Sequence, residues 1–141
     1  MAKIFWDTNL FIYLFEDQGE LGERVVSLRK KSIARLDQVM TSALTVGEVL
    51  VRPIALKAVA IERKYLEFFR SPALTVLPFD FRTAQSYARI REDRSIRPPD
   101  AIQLACAAAA GVDLFITNDT RLSKKIVPGV NFITSLSDAP L

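Results

Sequence analysis

The sequence predicts an α/β three-layer domain, a central and mostly parallel sheet of four to five strands flanked by helices. Three observations predict it. Short apolar runs alternate with longer amphipathic segments along the whole chain, the pattern of strands joined by crossover helices. Helix-start residues follow the apolar runs, as where Asp7, Thr8 and Asn9 follow Lys3–Trp6. The 141 residues, 50% hydrophobic and 25% charged, suffice for one substantial core. With no internal repeat and no linker-like boundary, residues 1–141 read as a single domain.

Each element has its own signal. Lys3 to Trp6 is a short apolar strand, and the run Leu10 to Phe15 continues a helix that starts at Thr8. From Leu21 to Asp37 the chain is amphipathic. Leu21, Val25, Leu28 and Ser32 share one stripe, while Arg24, Lys31 and Arg35 lie outside it. Val39 to Leu44 is a second strand. Thr45 and Glu48 then have capping-box spacing, which predicts a helix from Val46 to about Arg52, ended or bent at Pro53.

Ala55 to Arg70 is the longest helical pattern, with two apolar stripes: Val59, Leu66 and Phe69, and Ile61, Tyr65 and Phe68. One stripe suffices for a core contact, so the second is expected against another chain. Leu74 to Phe79 is a third strand, and Asp80 caps a helix through about Arg94. Pro98, Pro99 and Asp100 open a helix that runs to Ala110 and stops at Gly111. Its small alanines let the backbone lie close against a sheet. Leu114 to Thr117 is a fourth strand, closed by Asn118 and Asp119, and Asn131 to Thr134 a short fifth.

Composition excludes whole classes of chemistry. There is no histidine, so His-based acid–base catalysis, Ser-His-Asp triads and His-ligated zinc are out. The single cysteine, Cys106, forms no internal disulfide and no metal cluster. In an apolar run it reads as a buried, reduced thiol of a cytoplasmic protein. The longest charge-free stretches, Ala101 to Val112 and Ile126 to Ser137, are too short to span a membrane. The opening residues have no signal-peptide pattern. Neither a Gly-x-Gly-x-x-Gly nor a Walker-type phosphate loop is present. What remains is chemistry on carboxylates, hydroxyls, Lys, Arg or a hard metal ion.

Four carboxylates stand at strand ends or beside them. Asp7 ends the first strand, Glu48 lies just past the second, Asp119 ends the fourth, and Asp100 opens the helix feeding the fourth. In an open α/β sheet, residues beyond the carboxyl ends of the strands converge on one crevice. Each acid also has a local reading: Asp7 as an N-cap, Glu48 as the capping-box partner of Thr45, Asp100 as a cap answered by Gln103, and Asp119 as a turn former before Leu122. Gathered together, the acids repel one another, and a divalent cation relieves that repulsion. An oxygen-only donor set suits Mg²⁺ or Mn²⁺. Setting these four aside leaves 19 Lys and Arg against 12 other acids, a basic surface suited to a phosphodiester backbone. Arg97, Arg121, Lys124 and Lys125 are the candidate phosphate contacts.

Four segments, in order, carry a family resemblance. Ile4-Phe5-Trp6 with Asp7-Thr8-Asn9 resembles the opening of PIN-domain nucleases. The segments Ser42 to Leu50, Arg97 to Ala105 and Leu114 to Asp119 resemble their second, third and fourth motifs. Length and spacing are similar to those of VapC toxins of toxin–antitoxin pairs. The resemblance implies a PIN-like fold and a cytoplasmic endoribonuclease dependent on Mg²⁺ or Mn²⁺. It places the catalytic and metal-holding acids on Asp7, Glu48, Asp100 and Asp119, and supporting polar groups on Asn9 and Thr117. Some relatives carry a further acid near the third motif, where Gln103 stands three residues on. The implied partners are RNA, a cognate antitoxin protein and a second copy of the chain in a homodimer; no membrane is implied. Two other readings stay open: an inactive PIN-like RNA-binding protein, and a phosphotransfer domain of the receiver or haloacid-dehalogenase type. The latter folds want a second Asp close to the first, where this chain has Thr8 and Asn9.

Overall fold

The structure, a computed structural model, describes residues 1–17 and 19–140. Five strands, β1 (Lys3–Trp6), β2 (Gln38–Ser42), β3 (Thr75–Leu77), β4 (Leu114–Thr117) and β5 (Phe132–Ser135), form one sheet. The order is β3-β2-β1-β4-β5, and every neighbouring pair is parallel. The helices are α1 (Thr8–Glu16), α2 (Glu20–Ala34), α3 (Ala43–Ala55), α4 (Val59–Arg70), α5 (Phe81–Ile90) and α6 (Pro98–Ala110). Among the described residues, no helix is long and apolar enough to cross a membrane.

The pleat of the strands divides the core in two. Ile4 and Trp6 of β1 and Leu114 and Ile116 of β4 face a layer with Leu10, Phe11, Val25, Val49, Tyr65 and Phe69. Phe5 and Phe115 point to the opposite face and stack on each other at 4.9 Å, against Leu104 and Ala107 of the alanine-rich α6. A sheet buried on both faces needs near-continuous apolar strands, which is what β1 and β4 supply. Gly22 is required where α2 passes the end of α1, because a Cβ there would stand 2.0 Å from the carbonyl oxygen of Asp17.

Several expectations are corrected. The strand expected over Val39 to Leu44 ends at Ser42, and α3 starts at Ala43 with Ser42 at the N-cap position. Thr45 therefore lies inside the first turn, and no capping box with Glu48 forms. The helix passes Pro53 and ends two residues later at Ala55; proline removes one hydrogen bond, and here its ring is buried while Val51, Arg52, Ile54 and Ala55 are exposed.

The long helix expected over Ala55 to Arg70 is two helices. Leu56 closes α3, and Lys57 turns into the left-handed region at φ 54°. The Ala58 N–H then bonds the Pro53 carbonyl and the Lys57 N–H the Ile54 carbonyl, a Schellman closure. Glycine usually marks such a turn; here lysine occupies it.

The stripe Ile61, Tyr65 and Phe68 packs against this chain's own core instead of standing free. Tyr65 is fully buried in this chain's own core, stacked near Phe69 and edge-on to Phe15, with its hydroxyl donated to Glu16. Of the first stripe, Val59 is 60% exposed. The helix axis cuts between the two stripes, so each contributes one buried residue, Tyr65 and Phe69. The helix after Asp80 also ends at Ile90, short of Arg94.

Candidate active site

The strand order reverses between β1 and β4, the two strands on either side of the topological switch point. Asp7 stands at the carboxyl end of β1, where it N-caps α1 by accepting the Thr8 N–H at 2.8 Å. Its other oxygen accepts the Thr117 hydroxyl at 2.8 Å from the end of β4. The cap and the site are thus one residue. Burial raises the Asp7 pKa to about 6, aided by the charges of Asp100 and Glu48 and opposed by its two hydrogen bonds.

Asp100 is in the first turn of α6, whose N-cap residue is Arg97. Its pKa is also raised, first by burial and then by Asp119, with Arg97, Arg121 and Glu48 acting on it as well. The acids thus act on one another in pairs, Asp100 and Glu48 on Asp7, and Asp119 and Glu48 on Asp100. Gln103 does not answer Asp100 as a cap. Its amide turns into the interior, to Ser42, Thr8 and Thr45.

Glu48 is exposed on α3 and accepts the Thr8 hydroxyl at 2.7 Å. Asp119 forms the turn expected of it: one oxygen accepts the Arg121 and Leu122 N–H groups. Burial pushes its pKa up, but those N–H groups and the Arg121 guanidinium outweigh it and hold the carboxyl below its usual range. Thr117 is buried and donates its hydroxyl to Asp7. Asn9 is exposed on the first turn of α1 and bonds none of the four acids.

Among the described residues, no group of three acids stands close enough together to hold a metal ion as the side chains are arranged. The chemistry of the donor set nevertheless fits a hard divalent cation. All four donors are carboxylates, and beside burial, the larger cause, neighbouring carboxylate charge raises the pKa of both Asp7 and Asp100.

Beside the acids lies a cleft of about 350 Å³ that joins Asp100 and Asp119 to Arg121, Lys124 and Lys125. Three of the four basic candidates line it; Arg97 stands at the start of α6. Two of the four are already paired. Arg121 reaches Asp119 at 3.5 Å, and Lys125 reaches Asp93 at 3.1 Å and the Ser95 hydroxyl at 2.6 Å.

Sequence reasoning missed a buried polar network beneath the acids. Thr41, Ser42, Thr45 and Gln103 are all nearly inaccessible and bond to one another and to Thr8. The available signal was Gln103 itself, the one amide in the apolar stretch Ala101 to Val112.

Curated protein sequences give no match. Among solved structures, VapBC2 of Rickettsia felis, crystallised with a DNA fragment from its promoter, is similar over 94% of this chain and 98% of its own, at 15% identity and TM-score 0.75. A toxin–antitoxin complex from Klebsiella pneumoniae is similar over 90% and 94%, at 24% identity and TM-score 0.65. VapBC-5 of Mycobacterium tuberculosis, of the VapBC family of toxin–antitoxin systems, is similar over 96% and 99%, at 22% identity and TM-score 0.62. At these identities the likeness establishes a shared fold. The PIN domain matches residues 4–126, a span that holds β1, β4 and all four acids, and the chain belongs to the PIN domain family.

Proposed function

We propose that this protein is a metal-dependent endoribonuclease that hydrolyses RNA phosphodiester bonds and serves as the toxin of a toxin–antitoxin pair. The observation that carries the reading is the gathering of Asp7, Glu48, Asp100 and Asp119 at the switch point of the sheet, beside a basic cleft. Membership of the PIN family and the likeness to VapBC structures support it. Asp7, Asp100, Glu48 and Asp119 would hold Mg²⁺ or Mn²⁺. Such an ion would supply Lewis-acid chemistry and a lowered pKa for a water at the scissile phosphate.

The chain's own residues do the rest. Thr117 and the Thr8 N–H fix the two oxygens of Asp7. Arg97 and Lys124, with Arg121 and Lys125 once released from their acids, neutralise phosphates along the cleft. Asn9, exposed at the rim, is the remaining polar group for orienting a water or a ligand. The protein works in the cytoplasm, with an antitoxin and a second copy of itself as partners. The exposed apolar residues Val51, Ile54, Leu56 and Val59, near the α3–α4 junction, are the surface such partners would cover.

The test is cleavage of a mixed RNA substrate with and without Mg²⁺ or Mn²⁺. Metal-stimulated internal cuts that a chelator abolishes are expected. Tight RNA binding without cleavage would leave an inactive PIN-like RNA-binding protein instead.

A further inference from the structure

Gln103 is 2% exposed and has a partner for its carbonyl and partners for its amide nitrogen. The nitrogen lies 2.7 Å from Thr45 Oγ1 and 3.0 Å from Thr8 Oγ1, and Ser42 donates its hydroxyl to the carbonyl oxygen. Gln103 and these partners sit on three segments that each carry one acid. Thr8 adjoins Asp7, Thr45 lies one turn before Glu48, and Gln103 itself lies one turn after Asp100.

The proton directions in this network follow from its Glu48 end. Glu48 Oε1 lies 2.7 Å from Thr8 Oγ1 and can only accept, so the one proton of Thr8 goes to it. Thr8 has none left for Gln103 and must accept from it, which turns the NH₂ group of Gln103 towards Thr8 and Thr45. Thr45 accepts from Gln103 and, at 2.8 Å, from Thr41, whose hydroxyl also lies 2.9 Å from the Trp6 carbonyl oxygen.

We infer that Gln103 is the positioning residue of the site: through Thr8 it pins Glu48, and through Thr45 it holds the Glu48 helix against the segment that bears Asp7. The inference deepens the metal-site reading and rests on it for its consequence, the presentation of Glu48 to a cation. Partners behind a ligand typically alter metal affinity about 10–100-fold when removed. An apolar side chain of similar length at 103 would leave Thr8 free to turn its proton to Thr45, 3.2 Å away, and Glu48 held only part of the time.

Two measurements test this, neither of them activity. Neutron diffraction of wild-type crystals is expected to place the Gln103 amide deuterons on Thr8 and Thr45 and the Thr8 deuteron on Glu48. An amide turned the other way overturns the inference and needs no variant to show it. Mn²⁺ titration followed by electron paramagnetic resonance is expected to show binding about ten-fold weaker in Gln103→Met and in Thr8→Val. The double variant should be no weaker than the weaker single one, because both changes break one path. A merely structural role would lower the melting temperature and leave Mn²⁺ affinity unchanged, and that result also overturns the inference. If wild type binds Mn²⁺ and Gln103→Met binds it equally well, the inference about Gln103 fails alone. If wild type takes no Mn²⁺ at all, the metal reading fails and takes the role of Gln103 with it.

Discussion

Thr117 donates its hydroxyl proton to Asp7 across 2.8 Å and so ties the end of β4 to the end of β1. The two residues are 110 positions apart, yet the parallel register Trp6 with Ile116 brings their strand ends level. The same bond opposes the burial that raises the Asp7 pKa.

Asp7→Asn separates a helix cap from a metal ligand. Asn caps a helix about as well as Asp, so the metal-free variant should fold as well as wild type. Removing a charge from the cluster should leave it no less stable, and up to about 2 kcal/mol more stable at neutral pH. Removal of a partner behind a ligand costs about 10–100-fold, so loss of the ligand itself should lower RNA cleavage by more than about 100-fold. At roughly 100 times its Kd, Mn²⁺ should stabilise wild type by about 2.7 kcal/mol, and the variant much less. Thermal melts with and without Mn²⁺, beside a cleavage assay, check both parts; normal cleavage by Asp7→Asn would make Asp7 a cap and no more.

The basic residues should not contribute equally to RNA binding. Neither Arg97 nor Lys124 has an ion-pair partner among the described residues, whereas Lys125 is already neutralised by Asp93. Arg97→Ala and Lys124→Ala should each weaken binding severalfold and reduce the salt slope by about 1. Lys125→Ala should do less. Titrations of labelled RNA at several salt concentrations, with an uncleavable backbone, give both numbers.

Lys57 holds the left-handed turn between α3 and α4 at φ 54°, a region that costs a non-glycine residue about 1–2 kcal/mol. Lys57 is exposed, so its side chain is dispensable there. Lys57→Gly should stabilise the protein by about 1 kcal/mol, offset in part by the greater freedom of glycine in the unfolded chain. Lys57→Val should destabilise it. Chemical denaturation of the two variants measures the sign directly.

Asp93 supplies a pH dependence outside the site. The Ser95 hydroxyl first, then Lys125 and the Ser95 N–H, lower its pKa from 3.8 to about 2. A depressed carboxylate contributes stability that is complete above the ordinary value and is lost as pH falls through the folded one. Wild type should therefore be more stable than Asp93→Asn by a constant margin near neutral pH. That margin should close between about pH 4 and pH 2, as melting curves across the acid range would show.

The alternation of elements was legible because it depends on local chemistry. Apolar runs of three or four residues mark β1 and β4, and Pro98 with Gly111 brackets α6 at both of its ends. Asp7 and Asp119 were legible because each sits within two residues of a strand end, whereas Glu48 lies six residues past β2 and Asp100 opens α6, away from any strand. The α3–α4 break was not, since the left-handed turn falls on Lys57 and lysine carries no signal for it. Nor was the burial of Tyr65: periodicity shows that a helix has two apolar stripes and is silent on which neighbours cover them.

By itself the sequence determined the class of the fold, the exclusion of histidine and thiol chemistry, and the identity of the candidate acids. Those follow from composition and from signals spanning a few residues. Only the tertiary structure decided that Asp7, Glu48, Asp100 and Asp119 share one electrostatic environment, that Thr45 is no cap, and that Gln103 reaches Thr8 across 95 positions. The physical reason is the parallel sheet. Its strand order brings distant strand ends to one edge, and the buried hydroxyls collected there must find partners in one another because water cannot reach them.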